Sequence, residues 1–170
     1  MARPTLYLML GYPGAGKTTV AEIIAKLTGA VHVSSDKMRT ALFPKSKFTT
    51  EEHQQLYAEL DHLVEDLLRA GKDVIYDANL NRHVHRQEKY DICQKVGADS
   101  KLIWVKTEQD LAKQRALHDS REHLWPPSEP ADQMFDRLVG VFEEPLANEP
   151  HVVVDGSNVT DDAVKKVLGL

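Results

Sequence analysis

Short apolar runs alternate with segments of helical periodicity along the whole chain. Five runs have the length and composition of buried strands, and they lie at residues 5–10, 30–34, 73–77, 101–105 and 152–154. Between these runs, apolar residues recur at the three- and four-residue spacing of amphipathic helices. Alternation of this kind is typical of a parallel sheet covered by helices on both faces. The pattern therefore predicts an α/β fold of three layers.

Threonines mark the start of two predicted helices. Thr49 and Glu52 have the spacing of a capping box before a long helix rich in leucine. Thr107 is predicted to cap a helix that runs to about residue 119. The next segment, residues 120–130, contains Trp125-Pro126-Pro127 and cannot form regular structure, so we expect a mobile flap there.

The first apolar run leads directly into a glycine-rich loop and a helix. Residues 11–18, with the sequence GYPGAGKT, fill every fixed position of the phosphate-binding pattern G-x-x-x-x-G-K-[ST]. In this pattern backbone N–H groups surround a di- or triphosphate, the Lys17 ammonium reaches the outer phosphates, and the Thr18 hydroxyl binds Mg²⁺. A glycine-rich turn of another kind is set aside, because strand, loop and helix come in the required order. The predicted nucleotide-binding residues are Gly11, Pro13, Gly14, Ala15, Gly16, Lys17, Thr18 and Thr19.

Ligands of an open parallel sheet bind beyond the carboxyl ends of its strands. The second strand is followed by Asp36 and Arg39, which project to one side at the start of a helix. A carboxylate that can take a proton from a hydroxyl then lies beside a guanidinium that can hold an anion, as phosphoryl transfer to an alcohol requires. The alternative is that Asp36 only caps the helix and Arg39 is solvated.

Asp77 ends the third apolar run, next to the predicted phosphate loop. A carboxylate in this place commonly holds the hydration shell of Mg²⁺, so we predict that Thr18 and Asp77 bind the ion. The alternative is a turn aspartate before Asn79 and Asn81.

Length and charge limit the class of protein. The 170 residues predict one domain, residues 1–170, and the net charge of −5 weighs against a face built for non-specific duplex DNA binding. The single cysteine, Cys93, cannot form an internal disulfide and suits a buried position. No signal peptide or membrane span is predicted, and we expect a cytoplasmic protein. The eight histidines lack transition-metal spacing, so Mg²⁺ is the expected ion.

Two basic segments follow the strand ends that should flank the acceptor. Residues 37–50 contain no acid and interleave four basic residues with Phe43 and Phe48, and residues 82–89 add Arg82, His83, His85, Arg86 and Lys89. Such segments favour an anionic acceptor, and exposed aromatic rings could stack on a base. The alternative places the phenylalanines in the core and the basic residues on solvated helix faces.

The chain resembles the kinase domain of 5′-hydroxyl polynucleotide kinases and, more broadly, small AAA_33-like P-loop kinases. The resemblance is carried by residues 11–18, by Asp36-x-x-Arg39 and by Asp77-Ala78-Asn79-Leu80-Asn81. The resemblance covers about residues 6–142. It implies a P-loop NTPase fold with a five-stranded sheet of order 2-3-1-4-5 and a helical lid at about residues 115–135. It also implies that Asp36 is the general base, that Arg39 contacts an acceptor phosphate, and that Arg115 and Arg121 touch the nucleotide phosphates. Zeta toxins and chloramphenicol phosphotransferases are similar and phosphorylate small molecules.

We therefore predict a Mg²⁺-dependent phosphotransferase that moves the γ-phosphate of ATP or GTP to the hydroxyl of an anionic acceptor, such as a polynucleotide 5′ end. A small-molecule kinase and a nucleotide-binding module without transfer are the alternatives. A regulatory GTPase would need a guanine-reading N-K-x-D element, which is absent. The choice of ATP or GTP and the oligomeric state stay open.

Overall fold

Strands and helices alternate along the chain as the apolar pattern predicts. The computed structural model describes residues 2–118, 126 and 128–170. The strands within them are β1 (Thr5–Leu10), β2 (Val31–Ser34), β3 (Val74–Asp77), β4 (Asp99–Lys106) and β5 (His151–Asp155). The helices are α1 (Lys17–Thr28), α2 (Ser35–Leu42), α3 (Thr50–Arg69), α4 (His83–Val96), α5 (Gln109–His118), α6 (Ala131–Gly140) and α7 (Asp161–Leu168).

The five strands form one parallel sheet of order β2-β3-β1-β4-β5. This is the order that the resemblance implied, and it is confirmed. β1 lies in the middle, where Leu8 pairs with Tyr76 of β3 on one side and with Leu102 of β4 on the other. Because all strands are parallel, their carboxyl ends meet at one edge, and the polar segments that follow them are brought together there.

Helices cover both faces of the sheet. Successive side chains of a strand point to opposite faces, so Leu8 and Met9 of β1 enter different cores. Leu8 packs in the core that contains Leu56 of α3, and Met9 packs in the core that contains Ile24 of α1. All four side chains are fully buried. The predicted three-layer α/β fold is confirmed.

The two threonine caps have different outcomes. The Thr49 hydroxyl accepts a hydrogen bond from the Glu52 backbone N–H at 3.1 Å and caps α3 as predicted. The Glu52 carboxylate does not return to Thr49, since it accepts from the Ser46 hydroxyl and from two backbone N–H groups of the preceding turn. Thr107 does not cap α5, so that prediction is wrong. Its hydroxyl donates instead to the Ala15 carbonyl at 2.8 Å.

The predicted flap falls mostly on residues outside the described part of the chain, and it stays a prediction. At its borders, residues 115–118 belong to α5 and residues 131–135 to α6, and these helices pack through Ala112, Ala116 and Phe135. None of the helices in the described part combines the length and hydropathy that a membrane crossing requires.

Candidate active site

A cleft of about 880 Å³ opens at the carboxyl edge of the sheet, above β1. Its wall contains most of the residues that the sequence singled out: Gly11, Pro13, Gly14, Gly16, Lys17, Thr18, Thr19, Asp36, Arg39, Asp77 and Arg115. Ala15 is buried beneath the loop rather than on the wall. Arg121 lies outside the described residues.

The glycines of the loop between β1 and α1 are required by backbone shape and by close approach. Gly14 and Gly16 have φ values of +78° and +107°, a backbone conformation that residues with a side chain rarely adopt. A Cβ at Gly14 would also overlap the carbonyl oxygen of Ala112 in α5. The loop can therefore turn its N–H groups toward an anion while it packs tightly on α5.

Lys17 is fixed at the loop by two hydrogen bonds. Its ammonium donates to the Gly11 carbonyl at 2.7 Å and to the Tyr12 carbonyl at 3.1 Å. Burial lowers the pKa of Lys17, and the opposing effect of Asp77 and Asp36 is smaller. A partly desolvated ammonium of this kind gains strongly from a bound anion.

Thr18 and Asp77 meet as a candidate Mg²⁺ site. The Thr18 hydroxyl donates to Asp77 Oδ2 at 3.0 Å. Two neighbouring ligands of an octahedral Mg²⁺ lie about 2.9 Å apart, since each is about 2.05 Å from the ion, so this spacing fits the ion. Mg²⁺ needs few protein ligands because it keeps several waters, and a hydroxyl with one carboxylate is a sufficient donor set.

His32 of β2 completes this cluster, and sequence reasoning missed it. Its Nε2 lies 2.9 Å from Asp77 Oδ2, and the Asp77 side chain is 6% exposed. Burial raises the pKa of Asp77, but the His32 hydrogen bond, the Lys17 charge and the Thr18 hydrogen bond lower it more, so the net direction is down. Asp77 is thereby kept as the anion that a metal site requires. A lone histidine in a strand matches no motif, so the sequence offered no signal for it.

Asp36 and Arg39 lie on the same side of α2 and both reach the cleft. Ser34 caps α2, since its hydroxyl accepts from the Lys37 N–H at 3.4 Å. The alternative that Asp36 is the cap is therefore wrong, and Asp36 is an exposed residue in the first turn of the helix.

Arg39 stacks on Phe48, with Cζ 5.0 Å from the ring centroid. Its Nη1 is buried and has no hydrogen-bond partner among the described residues. Phe48 is held in place from below, because its backbone N–H and that of Lys47 both donate to the Glu52 carboxylate. His53, Tyr57, Asn79 and Asn81 line the same end of the cleft.

The second basic segment is not one continuous surface. Arg86 is fully buried and donates to Glu149 at 2.7 Å, and Lys89 is 2% exposed and lies 2.6 Å from Asp61. These two residues stabilise the interior, so the prediction that they face an acceptor is wrong. Their partners are distant in sequence, which is why the segment resembled a surface patch.

Two arginines lie at the opposite end of the cleft. Arg115 donates to the carbonyls of Gly156 at 2.7 Å and Ser157 at 3.3 Å, in the loop after β5. Arg137 of α6 makes a two-pronged ion pair with Glu129, at 3.0 and 2.9 Å.

Comparison with known proteins agrees with this geometry. A family model described as AAA_33, AAA domain, matches residues 6–145. The chain is 30% identical over 161 residues to an adenylate kinase of Helicobacter pylori (strain G27), covering 84% of this chain and 79% of the relative.

Two solved structures share the fold. One is the Mycobacterium tuberculosis APS kinase CysC, with a TM-score of 0.70 and 15% identity, covering 99% of this chain and 98% of that one. The other is a chain of the Pnkp1/Rnl/Hen1 RNA repair complex, with a TM-score of 0.68 and 21% identity, covering 83% of this chain and 44% of that one. With the phosphate loop and this edge-of-sheet cleft, the matches lead to one conclusion: the chain belongs to the AAA_33 family and is a P-loop kinase.

Proposed function

We propose that this kinase transfers the γ-phosphoryl group of a nucleoside triphosphate to the hydroxyl of an acceptor that carries an anionic group. The observation that carries the proposal is Arg39 Nη1, a buried guanidinium nitrogen without a partner among the described residues, on the wall of the cleft that also contains the phosphate loop. An unpaired buried donor of this kind is costly unless a ligand satisfies it, and phosphate or carboxylate oxygens match a guanidinium best.

The donor phosphates are bound by the loop in this proposal. Backbone N–H groups of residues 11–18 and the Lys17 ammonium hold the β- and γ-oxygens. Thr18 and Asp77 hold Mg²⁺, which neutralises charge that develops during transfer. Asp36 accepts the proton of the acceptor hydroxyl.

The sheet order supports opposite ends of the cleft for the two substrates. Phosphoryl transfer is roughly in line, so the acceptor and the rest of the nucleotide lie on opposite sides of the γ-phosphate. Asp36 and Arg39 follow β2, on one side of the central β1, and so the acceptor binds there. The nucleoside then extends toward β4 and β5, where the loop of residues 156–159 lines the cleft.

Asp36 favours a hydroxyl over a phosphate as the accepting group. A hydroxyl must lose a proton, and a carboxylate assists that step, whereas a phosphate acceptor needs no base and would be repelled by Asp36. A polynucleotide 5′-OH and a small phosphorylated alcohol both satisfy this geometry.

An acceptor screen tests the proposal. Transfer from γ-³²P-labelled ATP with Mg²⁺ is measured to 5′-hydroxyl DNA and RNA oligonucleotides, nucleosides, nucleoside monophosphates, sugars and aminoglycoside-like alcohols. We expect Lys17→Ala to lose both triphosphate binding and transfer. Asp36→Asn should lower transfer by about 10²- to 10⁴-fold while nucleotide affinity changes little. An Asp36→Asn enzyme that transfers at the wild-type rate contradicts the proposal. So does a wild-type enzyme that phosphorylates the phosphate of 5′ nucleoside monophosphates in preference to any hydroxyl.

Arg39 is tested on the best acceptor of that screen. Arg39→Ala should raise the KM for an anionic acceptor by about 10- to 100-fold, the loss expected for a charged hydrogen bond, and should leave the KM for nucleotide unchanged. Lys37→Ala is the matched control, since Lys37 is an exposed cation on the same helix and lies outside the cleft wall. Equal effects of the two substitutions would show that Arg39 does not hold the acceptor.

A further inference from the structure

Arg115 is bonded to a loop rather than placed free in the cleft. Its two terminal nitrogens donate to the neighbouring carbonyls of Gly156 and Ser157. That loop is also fixed from its other side, because Asp155 Oδ1 accepts from both the Ser157 N–H at 2.9 Å and the Ser157 hydroxyl at 2.6 Å. The planar guanidinium therefore donates to two successive peptide carbonyls, and the loop that contains them is itself fixed by Asp155.

The same loop presses on the floor of the phosphate loop. A Cβ at Gly156 would overlap the Ala15 carbonyl oxygen and the Thr107 hydroxyl, which themselves share a hydrogen bond of 2.8 Å. The Gly156 N–H donates to the Lys106 carbonyl at 2.9 Å. The loop after β5 and the phosphate loop are thus packed as one unit.

The helix that carries Arg115 belongs to this unit as well. The Ala112 carbonyl and the Ala116 N–H of α5 lie so near Gly14 that no side chain fits between them. Arg115 therefore projects from a helix that is fixed on the phosphate loop, and its guanidinium is directed at loop carbonyls.

We propose that Arg115 is a positioning residue for the nucleoside end of the cleft. It holds residues 156–158 in the shape that receives the base and ribose, and it makes no contact with the phosphates. This replaces the phosphate contact that the resemblance implied for Arg115, and it rests on the proposed nucleotide site and on the in-line arrangement that directs the nucleoside toward β5.

Two probes distinguish a role of Arg115 in positioning the nucleoside loop from a direct contact with the phosphates. MgATP carries a nucleoside, and inorganic tripolyphosphate with Mg²⁺ does not, so calorimetric titration with both compares the two ends of the site. In Arg115→Ala we expect ATP affinity to fall by about tenfold and tripolyphosphate affinity to stay unchanged. Arg115→Lys should bind ATP as weakly as Arg115→Ala, because an ammonium keeps the charge but cannot grip two carbonyls at once. Any preference of the wild type between ATP and GTP should weaken in both variants.

Gln114→Ala, an exposed change on the same helix, is the control and should bind both probes as the wild type does. An equal loss of both probes, with rescue by Arg115→Lys, would overturn the proposal in favour of a phosphate contact. An equal loss with a lowered melting temperature, or no loss of either probe, would overturn it as well. Lys17→Ala tests the underlying site separately, since unchanged tripolyphosphate binding in that variant refutes the nucleotide site whatever Arg115 does.

Discussion

Buried charges stabilise the fold away from the cleft, and Glu149 is the clearest case. Its carboxylate accepts hydrogen bonds from Arg86, from the Tyr90 hydroxyl at 2.6 Å and from the Leu146 N–H at 3.0 Å. Arg86 also donates to backbone carbonyls, including that of Glu143 at 3.1 Å. The irregular segment between α6 and β5 is therefore organised around one ion pair.

Glu149→Gln should lower the free energy of unfolding by about 3–5 kcal/mol near pH 7, because Arg86 would be left as an uncompensated buried charge. Urea denaturation measures the change. Glu65→Gln is the control, since Glu65 pairs with Arg69 and Lys95 at the surface and its loss should lower stability much less. Equal losses for the two variants would contradict this assignment.

The effect of Glu149 should depend on pH. Burial raises the pKa of Glu149, but the hydrogen bonds from Arg86 and Tyr90 lower it by more, so that the pKa falls to about 2. A carboxylate whose pKa is depressed in the folded state contributes fully above its unfolded pKa of about 4.3, and the contribution is lost as pH falls toward 2. The stability difference between wild type and Glu149→Gln should therefore be constant from pH 7 to pH 5 and should shrink below about pH 4.3. A difference that grows as the pH falls would refute the depressed pKa.

At the scale of elements, the contact between the phosphate loop and α5 decides whether the loop keeps its shape. Gly14 has a positive φ and no room for a Cβ, because the α5 backbone lies against it. Gly29, at the end of α1, has nearly the same φ, +76°, and nothing lies within 4 Å of its missing Cβ. An alanine at Gly29 would therefore suffer only backbone strain, whereas an alanine at Gly14 would suffer the same strain and also a clash with α5.

Gly14→Ala should lower stability more than Gly29→Ala does, because its Cβ would have to displace α5. Only Gly14→Ala should weaken nucleotide binding, by about tenfold or more, because the phosphate loop would change shape. Gly29→Ala should cost about 1–2 kcal/mol, the price of a left-handed alanine. Thermal unfolding and nucleotide titration check both expectations. Equal nucleotide affinity in the two variants would show that α5 does not support the loop.

Elements were predictable from the sequence where the information is local, and the partners of Thr107 and Arg86 were not. The apolar runs predicted every strand in the described part of the chain, and the glycine-rich motif predicted the position of the loop between β1 and α1. Thr107 was assigned to the nearest helix, but it bonds to Ala15, which is 92 positions away in sequence. Likewise Arg86 was assigned to the surface because its partner Glu149 lies 63 positions away. Local spacing predicts secondary structure, and only the folded chain brings such pairs together.

For the whole molecule, the sign of the charge in the cleft is opposite to the net charge of the protein. The chain carries −5 overall. Cations outnumber carboxylates among the described residues of the cleft wall. The cations are Lys17, Arg39, Arg115 and Arg137, and the carboxylates are Asp36 and Asp77. A positive cleft in a negative protein attracts anions to one place on its surface.

Nucleotide association should therefore slow as salt is added. We expect the association rate constant of a fluorescent ATP analogue, measured by stopped flow, to fall by roughly tenfold between about 0.02 and 0.5 M NaCl. Uncharged adenosine is the control and should show no such dependence. An equal rate for the triphosphate at both salt concentrations would mean that the cleft charges do not steer it.

The order β2-β3-β1-β4-β5 has a consequence for how such an enzyme changes during evolution. The proposed acceptor residues lie within residues 36–57 and 78–81, on one side of β1, and the proposed nucleoside residues come from α5 and the loop after β5, on the other side. Substitutions in the first group, other than at Asp36, can exchange one acceptor for another without disturbing the packed unit that holds the donor. A duplicated gene of this family would thus acquire a new substrate by mutating one half of its cleft, while the inherited half continues to supply the phosphoryl group.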